Sequence, residues 1–354
     1  MKKILINVLI FILIVSFSSI FIGCTTSVSA ESTTTSVSAE STKTNLPEKA
    51  AAGATNKWDI TYICHAPNID FFQPTKEGAQ DFIKIWGEDR VNFNWTGPQK
   101  YSVESHVDIV QQAIPKSDAI VLTAPDPVAF NKVIADAKNA GLPVVVFNAD
   151  APTSERDAFV GQDRVFAGMQ MGEAAVEYAN KYLPDRGKGE IKYFITAAYG
   201  GHSAIEEIIN GYKLVLNKDP RFVNVVDNYL IITNDPVQAY STVENQMLAT
   251  PGVDFILGSC SLTYVAGQYV RKNGLQDKVH VFGVTVDSTA LDLLKDGSMK
   301  ELSDQNPYMQ GYVTMSLLYA YLENNRPIKG MNCNTGASIV TKENMSTWEN
   351  FLKK

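Results

Sequence analysis

From residue 58 onward, short apolar runs alternate with amphipathic stretches, and residues 119–150 show the repeating unit most clearly. An apolar run at 119–122 breaks at Pro125-Asp126-Pro127, after which Phe130, Val133, Ile134 and Ala137 recur at helical spacing. Gly141 and Pro143 stop that helix, and a second apolar run follows at 144–147. The spacing predicts a strand, a helix and a second strand. Strands joined by a helix lie parallel, and their continuous apolar character predicts a sheet covered on both faces. Asp126, Asn148 and Asp150 follow the carboxyl ends of these strands, the edge at which open α/β sheets bind ligands. Each has a structural alternative: Asp126 can cap the helix, and Asn148 and Asp150 can begin a turn.

The same alternation fills the rest of this half, with strands at 58–64 and 92–95 and helices at 75–85 and 103–114. Between the first strand and its helix, Phe71 and Phe72 sit side by side in a loop, where they need either the fold or a flat ligand to cover them. A short strand near 159–161 leads to a helix at 165–183, whose Gly168 and Gly172 allow close approach to a neighbour. A second series then begins, with strands at 191–196, 224–232, 255–257 and 279–284 and helices at 203–216, 236–249 and 262–272. Ser203 and Glu206 have the spacing of a capping box. Two such series predict an α/β protein of two doubly wound parallel-sheet domains, with the cleft between them as the site. The remaining segments, 299–304, a long apolar helix to about Leu322 and a strand at 336–340, are too small for a third domain and should complete the two sheets.

The N-terminus differs. Lys2 and Lys3 precede an apolar run at 4–22 that ends in Gly23-Cys24. Charge followed by hydrophobicity predicts a signal peptide at 1–24, and a small residue before a cysteine resembles a bacterial lipobox with Cys24 as the lipidated residue. A transmembrane anchor is the alternative for a run of this length. Residues 25–57 are rich in Ser, Thr, Ala and Glu, with the segment at 26–33 repeated at 35–42, a composition that predicts a disordered tether.

With 354 residues the chain is too long for one core and fits two domains after the N-terminal segments. A net charge of −7 argues against nucleic acid as a partner, because phosphates call for a basic stripe. Cys24, Cys64, Cys260 and Cys333 have neither metal-ligand spacing nor an evident disulfide framework; Cys64 and Cys260 lie in apolar runs and read as core residues. The histidines are His65, His106, His202 and His280. His65 and His202 fall in strand-to-helix loops at the cleft, where solvent-facing or ligand hydrogen-bonding roles are expected of them. Neither a nucleophile elbow, nor HExxH, nor a phosphate-binding glycine loop accompanies them, which leaves an enzyme as a distant alternative. The export signal and the absence of a helix-turn-helix exclude a transcription regulator.

The ordered set Asn68-Ile69-Asp70-Phe71-Phe72, Asp150, Gly161-Gln162-Asp163, Gly283-Val284-Thr285 and Gln305-Asn306-Pro307 resembles the ribose-type sugar-binding proteins of bacterial ABC transporters, which have the type I periplasmic-binding-protein fold. The likeness runs from Trp58 to the C-terminus. It implies two lobes joined by a three-crossover hinge: residues 58–161 plus 306–327 in the N-terminal lobe and 162–305 plus 328–354 in the C-terminal lobe. It also implies a monomeric extracytoplasmic protein, lipid-anchored to the cell membrane and free of cofactors and metals. Such a protein captures a sugar or polyol by lobe closure and delivers it to ABC permease subunits. A receptor that reports to a chemosensor would share the same sequence features.

Residue by residue, Asn68, Phe71 and Phe72 match the family's contacting and stacking position, Asp150 its hydroxyl-accepting carboxylate and Gln305 its hinge-side amide. Ala151 and Glu206 stand where ribose binders carry arginines, Ser259 replaces an asparagine and Thr285 an aspartate, so ribose itself is not expected. His65 and Ala204-Ile205 depart from the autoinducer-2 receptors, leaving that signal, with nucleosides, as an alternative ligand. The expected site is therefore Asn68, Phe71, Phe72, Asp126, Asn148, Asp150, His202, Glu206, Ser259, Thr285 and Gln305, with Asp150 as its principal ligand. Amides and carboxylates in the ring plane with aromatics above it suit a sugar, whose rim is polar and whose face is apolar.

Overall fold

The computed structural model describes Cys24–Thr26, which form strand β1, and residues 57–348. The rest of the expected signal peptide and tether lies outside the described residues. The first series runs β2 (Trp58–Ile63), α1 (Gln73–Trp86), β3 (Val91–Thr96), α2 (Val103–Ala113), β4 (Ala119–Leu122), α3 (Pro127–Asn139), β5 (Val144–Phe147) and β6 (Ala158–Gly161). The second runs α4 (Arg164–Tyr182), β7 (Ile191–Ala197), α5 (Ser203–Leu216), β8 (Phe222–Asn224), β9 (Leu230–Ile231), α6 (Pro236–Ala249) and β10 (Phe255–Gly258), then α7 (Tyr264–Lys272), β11 (His280–Gly283), α8 (Ser288–Lys295) and β12 (Glu301–Asp304). The chain ends with α9 (Pro307–Leu322), β13 (Met331–Asn334) and β14 (Ser338–Val340).

These strands form two sheets, β1-β13-β6-β5-β4-β2-β3 and β14-β12-β11-β10-β7-β8, with β9 beside β7. Pairing is parallel throughout except at the edges, where β1 and β14 run antiparallel. In each sheet the first strand of the series lies inside, β2 between β3 and β4 and β7 between β8 and β10. The winding therefore reverses between β2 and β4 and again between β7 and β10. At such a switch point the connecting loops diverge to opposite faces and leave a crevice beyond the carboxyl ends.

Strands β4 and β5 are buried at every position, as strands covered on both faces must be. Asp126, Asp163, Asp235 and Asp287 cap α3, α4, α6 and α8 through their carboxylates. Gly168 of α4 meets Gly211 of α5 so closely that a Cβ on Gly168 would lie 2.2 Å from the Ile208 carbonyl oxygen, the approach its spacing predicts. Cys64 and Cys260 are free and buried, whereas Cys333 is disulfide-bonded, a pairing the cysteine spacing did not reveal.

Three local expectations are corrected. The predicted strand at 224–232 is two short pieces, β8 and β9, because Asn228 adopts φ 63° and its carbonyl accepts from Asn224 Nδ2 at 2.8 Å, closing a turn. Ser203 does not open α5 with a capping box: His202 holds the cap position, and the Glu206 carboxylate accepts from the Gly201 N–H at 3.2 Å and the Tyr229 hydroxyl at 2.5 Å. The last crossover comes later than residue 328, since β13 pairs with β6 in the first sheet and the chain passes to β14 only afterwards. Its sequence, MNCN, carries too weak a pattern to show that it covers the β6 edge. The chain thus crosses between sheets at 162–163, 305–306 and 335–337.

Candidate functional site

The two switch points face one another across a cavity of about 80 Å³. One water needs roughly 10–15 Å³, so the space suits one small ring rather than a disaccharide. The first lobe contributes His65 and Ala66 from the end of β2, Ile69, Phe71 and Phe72 from the following loop, and Asn148 from the end of β5. The second contributes Ala198, Tyr199 and His202 after β7, Asn234 before α6, Ser259, Cys260 and Ser261 after β10, and Thr285 after β11. Arg164 enters from the start of α4, just after the first crossover, and Gln305 from the second crossover.

The lobes touch above this space. Tyr101 of the first packs on Tyr199 of the second with ring centroids 4.7 Å apart, and His65 meets His202 edge-on at 5.4 Å. The Ser203 N–H donates to the Pro125 carbonyl at 3.2 Å, a direct hydrogen bond across the cleft. Phe72 is buried and packs edge-on against His65 and Phe147, while Phe71 packs on Phe72. Those two rings form an apolar wall.

Polar groups interrupt the remaining, partly apolar lining. Asn148 takes a left-handed backbone at φ 59°, which turns its carbonyl toward the Arg164 guanidinium; Nε donates at 3.1 Å and Nη2 at 2.8 Å. Burial lowers the Arg164 pKa to about 10. Burial first, and the Arg164 charge second, lower His202 to about 4, and burial with the charges of His202, His106 and Arg164 holds His65 well below its ordinary value. Both rings are therefore neutral at pH 7. Ser259 Oγ donates to the Thr196 carbonyl at 2.7 Å, and Gln305 Nε2 to the Val284 carbonyl at 2.8 Å. Thr285 Oγ1, Gln305 Oε1 and His202 Nδ1 are buried without a protein partner, positions that a ligand hydroxyl would satisfy.

Of the residues expected from sequence, Phe71, Phe72, Asn148, His202, Ser259, Thr285 and Gln305 come together here. The others are placed elsewhere. Asp126 caps α3, accepting from the Val128 and Ala129 N–H groups at 3.1 and 3.0 Å. Asp150 turns away to pair with Arg156, whose Nε and Nη2 donate to its two oxygens at 2.6 and 2.7 Å. The Glu206 carboxylate is held by Tyr229 and Gly201. Asn68 is exposed and lines an outer groove with Gln99, Lys100 and Tyr101. Each carboxylate has found a local donor, and a satisfied local bond outcompetes a cleft position.

Arg164 was not anticipated. Its signal lay in its place: a cation at the first position of a helix opposes the helix dipole, so an arginine directly after the cap Asp163 points to another task.

Two doubly wound lobes, linked by three crossovers and closed over a small cavity of mixed polar and apolar lining, define a binding protein that encloses its ligand. The chain belongs to the Periplasmic binding protein domain family, which residues 60–326 match. It is thus a solute-binding protein that works outside the cytoplasm, not an enzyme. The xylose/arabinose-binding protein XylF of Sulfolobus acidocaldarius is 25% identical over 310 residues, covering 82% of this chain and 73% of the relative. An ABC transporter solute-binding protein from Burkholderia graminis, solved in complex with D-arabinose, superposes with TM-score 0.75 at 23% identity, covering 83% of this chain and 98% of that one. A carbohydrate transporter from Acidothermus cellulolyticus, solved with myo-inositol, superposes with TM-score 0.70 at 23% identity, covering 84% and 99%.

Proposed function

We propose that this protein captures one monosaccharide or polyol, other than ribose, between its lobes and presents the closed form to an ABC permease. The observation that carries this reading is the cavity itself, in which unpartnered Thr285 Oγ1, Gln305 Oε1 and His202 Nδ1 stand opposite the apolar wall of Phe71 and Phe72. That combination complements a ring with hydroxyls on its rim and C–H groups on its face. The arabinose and inositol held by the two structural relatives have the size the cavity allows. Each absent or inverted hydroxyl would strand a buried polar atom, at about 1–3 kcal/mol, enough to separate epimers.

A thermal-shift screen of pentoses, hexoses, deoxysugars, polyols and their acids should find a compound that raises the melting midpoint. Thr285→Val combined with Gln305→Ala should weaken that compound by one to two orders of magnitude. A nucleoside, an autoinducer-2 preparation or a peptide as the only stabilising compound would overturn the ligand class.

The anchoring reading is that signal peptidase leaves Cys24 as the first mature residue, acylated through its sulfur. Intact-mass analysis of membrane-extracted protein should show the diacylglyceryl adduct on the N-terminal peptide that begins at Cys24; a Cys24 without lipid refutes it.

A further inference from the structure

We propose that the enclosed ligand is an acidic sugar, an aldonate or uronate of pentose or hexose size, whose carboxylate sits on the open edge of the Arg164 guanidinium. The inference rests on the sugar-binding reading above and narrows it.

Arg164 is 5% exposed and lines the cavity. A guanidinium has five N–H donors, and the protein takes up two, both on the Asn148 carbonyl. Among the described residues no carboxylate lies within ion-pairing distance of it. Glu207 on α5 feels its charge, and raises the Arg164 pKa in return, but forms no salt bridge with it. Neither Asp nor Glu lines the cavity. The three carboxylates that the sequence offered are taken: Asp126 by a helix N-terminus, Asp150 by Arg156, and Glu206 by Tyr229 and Gly201.

A buried cation with no anion in contact loses its hydration and, with only the more distant Glu207 acting on it, is poorly compensated. A neutral hydroxyl would supply lone pairs to the free N–H groups but would leave the charge uncompensated. A carboxylate supplies both, and its two oxygens match the planar fork. The remaining groups do not oppose an anion: the histidines offer neutral ring nitrogens, and Asn148, Gln305 and Thr285 offer amides and a hydroxyl to the polyol chain. A phosphate ester shares the charge but carries nearly twice as much of it, against one guanidinium.

The test is isothermal titration of the full-length protein with matched pairs, D-xylose against D-xylonate and D-glucose against D-glucuronate, with D-xylose 5-phosphate as a third arm. At least one acid should bind tenfold or more tightly than its neutral partner, and its affinity should fall between 0.05 and 0.5 M salt, as a charge contact requires. Arg164→Lys keeps the charge but loses the fork, and should cost the acid more than tenfold while changing the neutral sugar less. Should that variant fail to fold, the wild-type ratios and their salt dependence still decide. Neutral sugars binding as well as the acids would overturn the proposal and leave the sugar reading intact. Preference for the phosphate would overturn the carboxylate assignment. Silence from every arm, together with a nucleoside or peptide that does bind, would overturn both readings.

Discussion

Lowering the pH from 7 to 5 should remove on the order of 6 kcal/mol of folding stability through histidines alone. His106, His202 and His280 are buried, and burial lowers each to about 4 from the ordinary 6.5. The folded protein therefore binds fewer protons than the unfolded chain between those values. A depressed histidine contributes stability that is fully present above pH 6.5 and is lost progressively as the pH falls toward 4. By pH 5 the loss is about 2 kcal/mol for each ring. His65, shifted in the same direction, adds to it. Burial raises the carboxyls of Asp150, Glu207, Asp254 and Glu301 instead, so they take up protons on folding and oppose the loss at its acid end. Against a total of roughly 5–15 kcal/mol for a folded domain, the histidine effect is large. Urea unfolding at pH 7, 6 and 5 measures it. His106→Phe, whose ring would keep the packing on Phe130, should give a shallower pH slope. Equal stability at pH 7 and pH 5 would show that the histidines are protonated without cost.

The strands and helices were legible because their signals are local. Val144 to Phe147 must be buried on both faces whatever lies beside them, and Asp126-Pro127 starts a helix from its own backbone geometry. Sheet membership is less local, and β13 shows why: four residues with little pattern become a strand because β6 has a free edge to fill. The site was legible as a set of strand ends and less so as a set of side chains. Asn148, Thr285 and Gln305 reach the cavity because backbone turns and crossovers aim them there. Asp150 also follows a strand end, yet Arg156, six positions on, neutralises it. Nothing in spacing alone tells whether an aspartate faces a ligand or an arginine from its own loop. The same ambiguity hid Arg164, whose lack of an acidic partner is visible only once the neighbouring carboxylates are placed.

Gln310→Leu should cost about 2–5 kcal/mol of stability and at least tenfold in ligand affinity, although Gln310 lies outside the cavity lining. Gln310 on α9 is wholly buried. Its Oε1 accepts from Asn148 Nδ2 at 3.1 Å, and its Nε2 donates to the Gln305 carbonyl at 3.0 Å. That same carbonyl accepts from Thr335 Oγ1 at 3.0 Å in the last crossover, and the Asn148 carbonyl holds Arg164 just after the first. One amide therefore ties together all three passages between the lobes and the two residues that present Arg164 and Gln305 to the ligand. Leucine has nearly the same volume, so packing is kept while the Asn148 amide loses its acceptor and the Gln305 carbonyl one of its donors. Both losses are of buried groups, which water reaches poorly. With Asn148 no longer held, the Arg164 fork loses its fixed base, and lobe closure has to reorder both before the ligand is gripped. Titration with the ligand found by screening, alongside small-angle scattering of the ligand-free form, separates the possible results. Weaker binding with a larger radius of gyration is expected. A loss of stability with unchanged affinity and radius would confine Gln310 to the core of the first lobe and leave hinge control to the crossovers themselves.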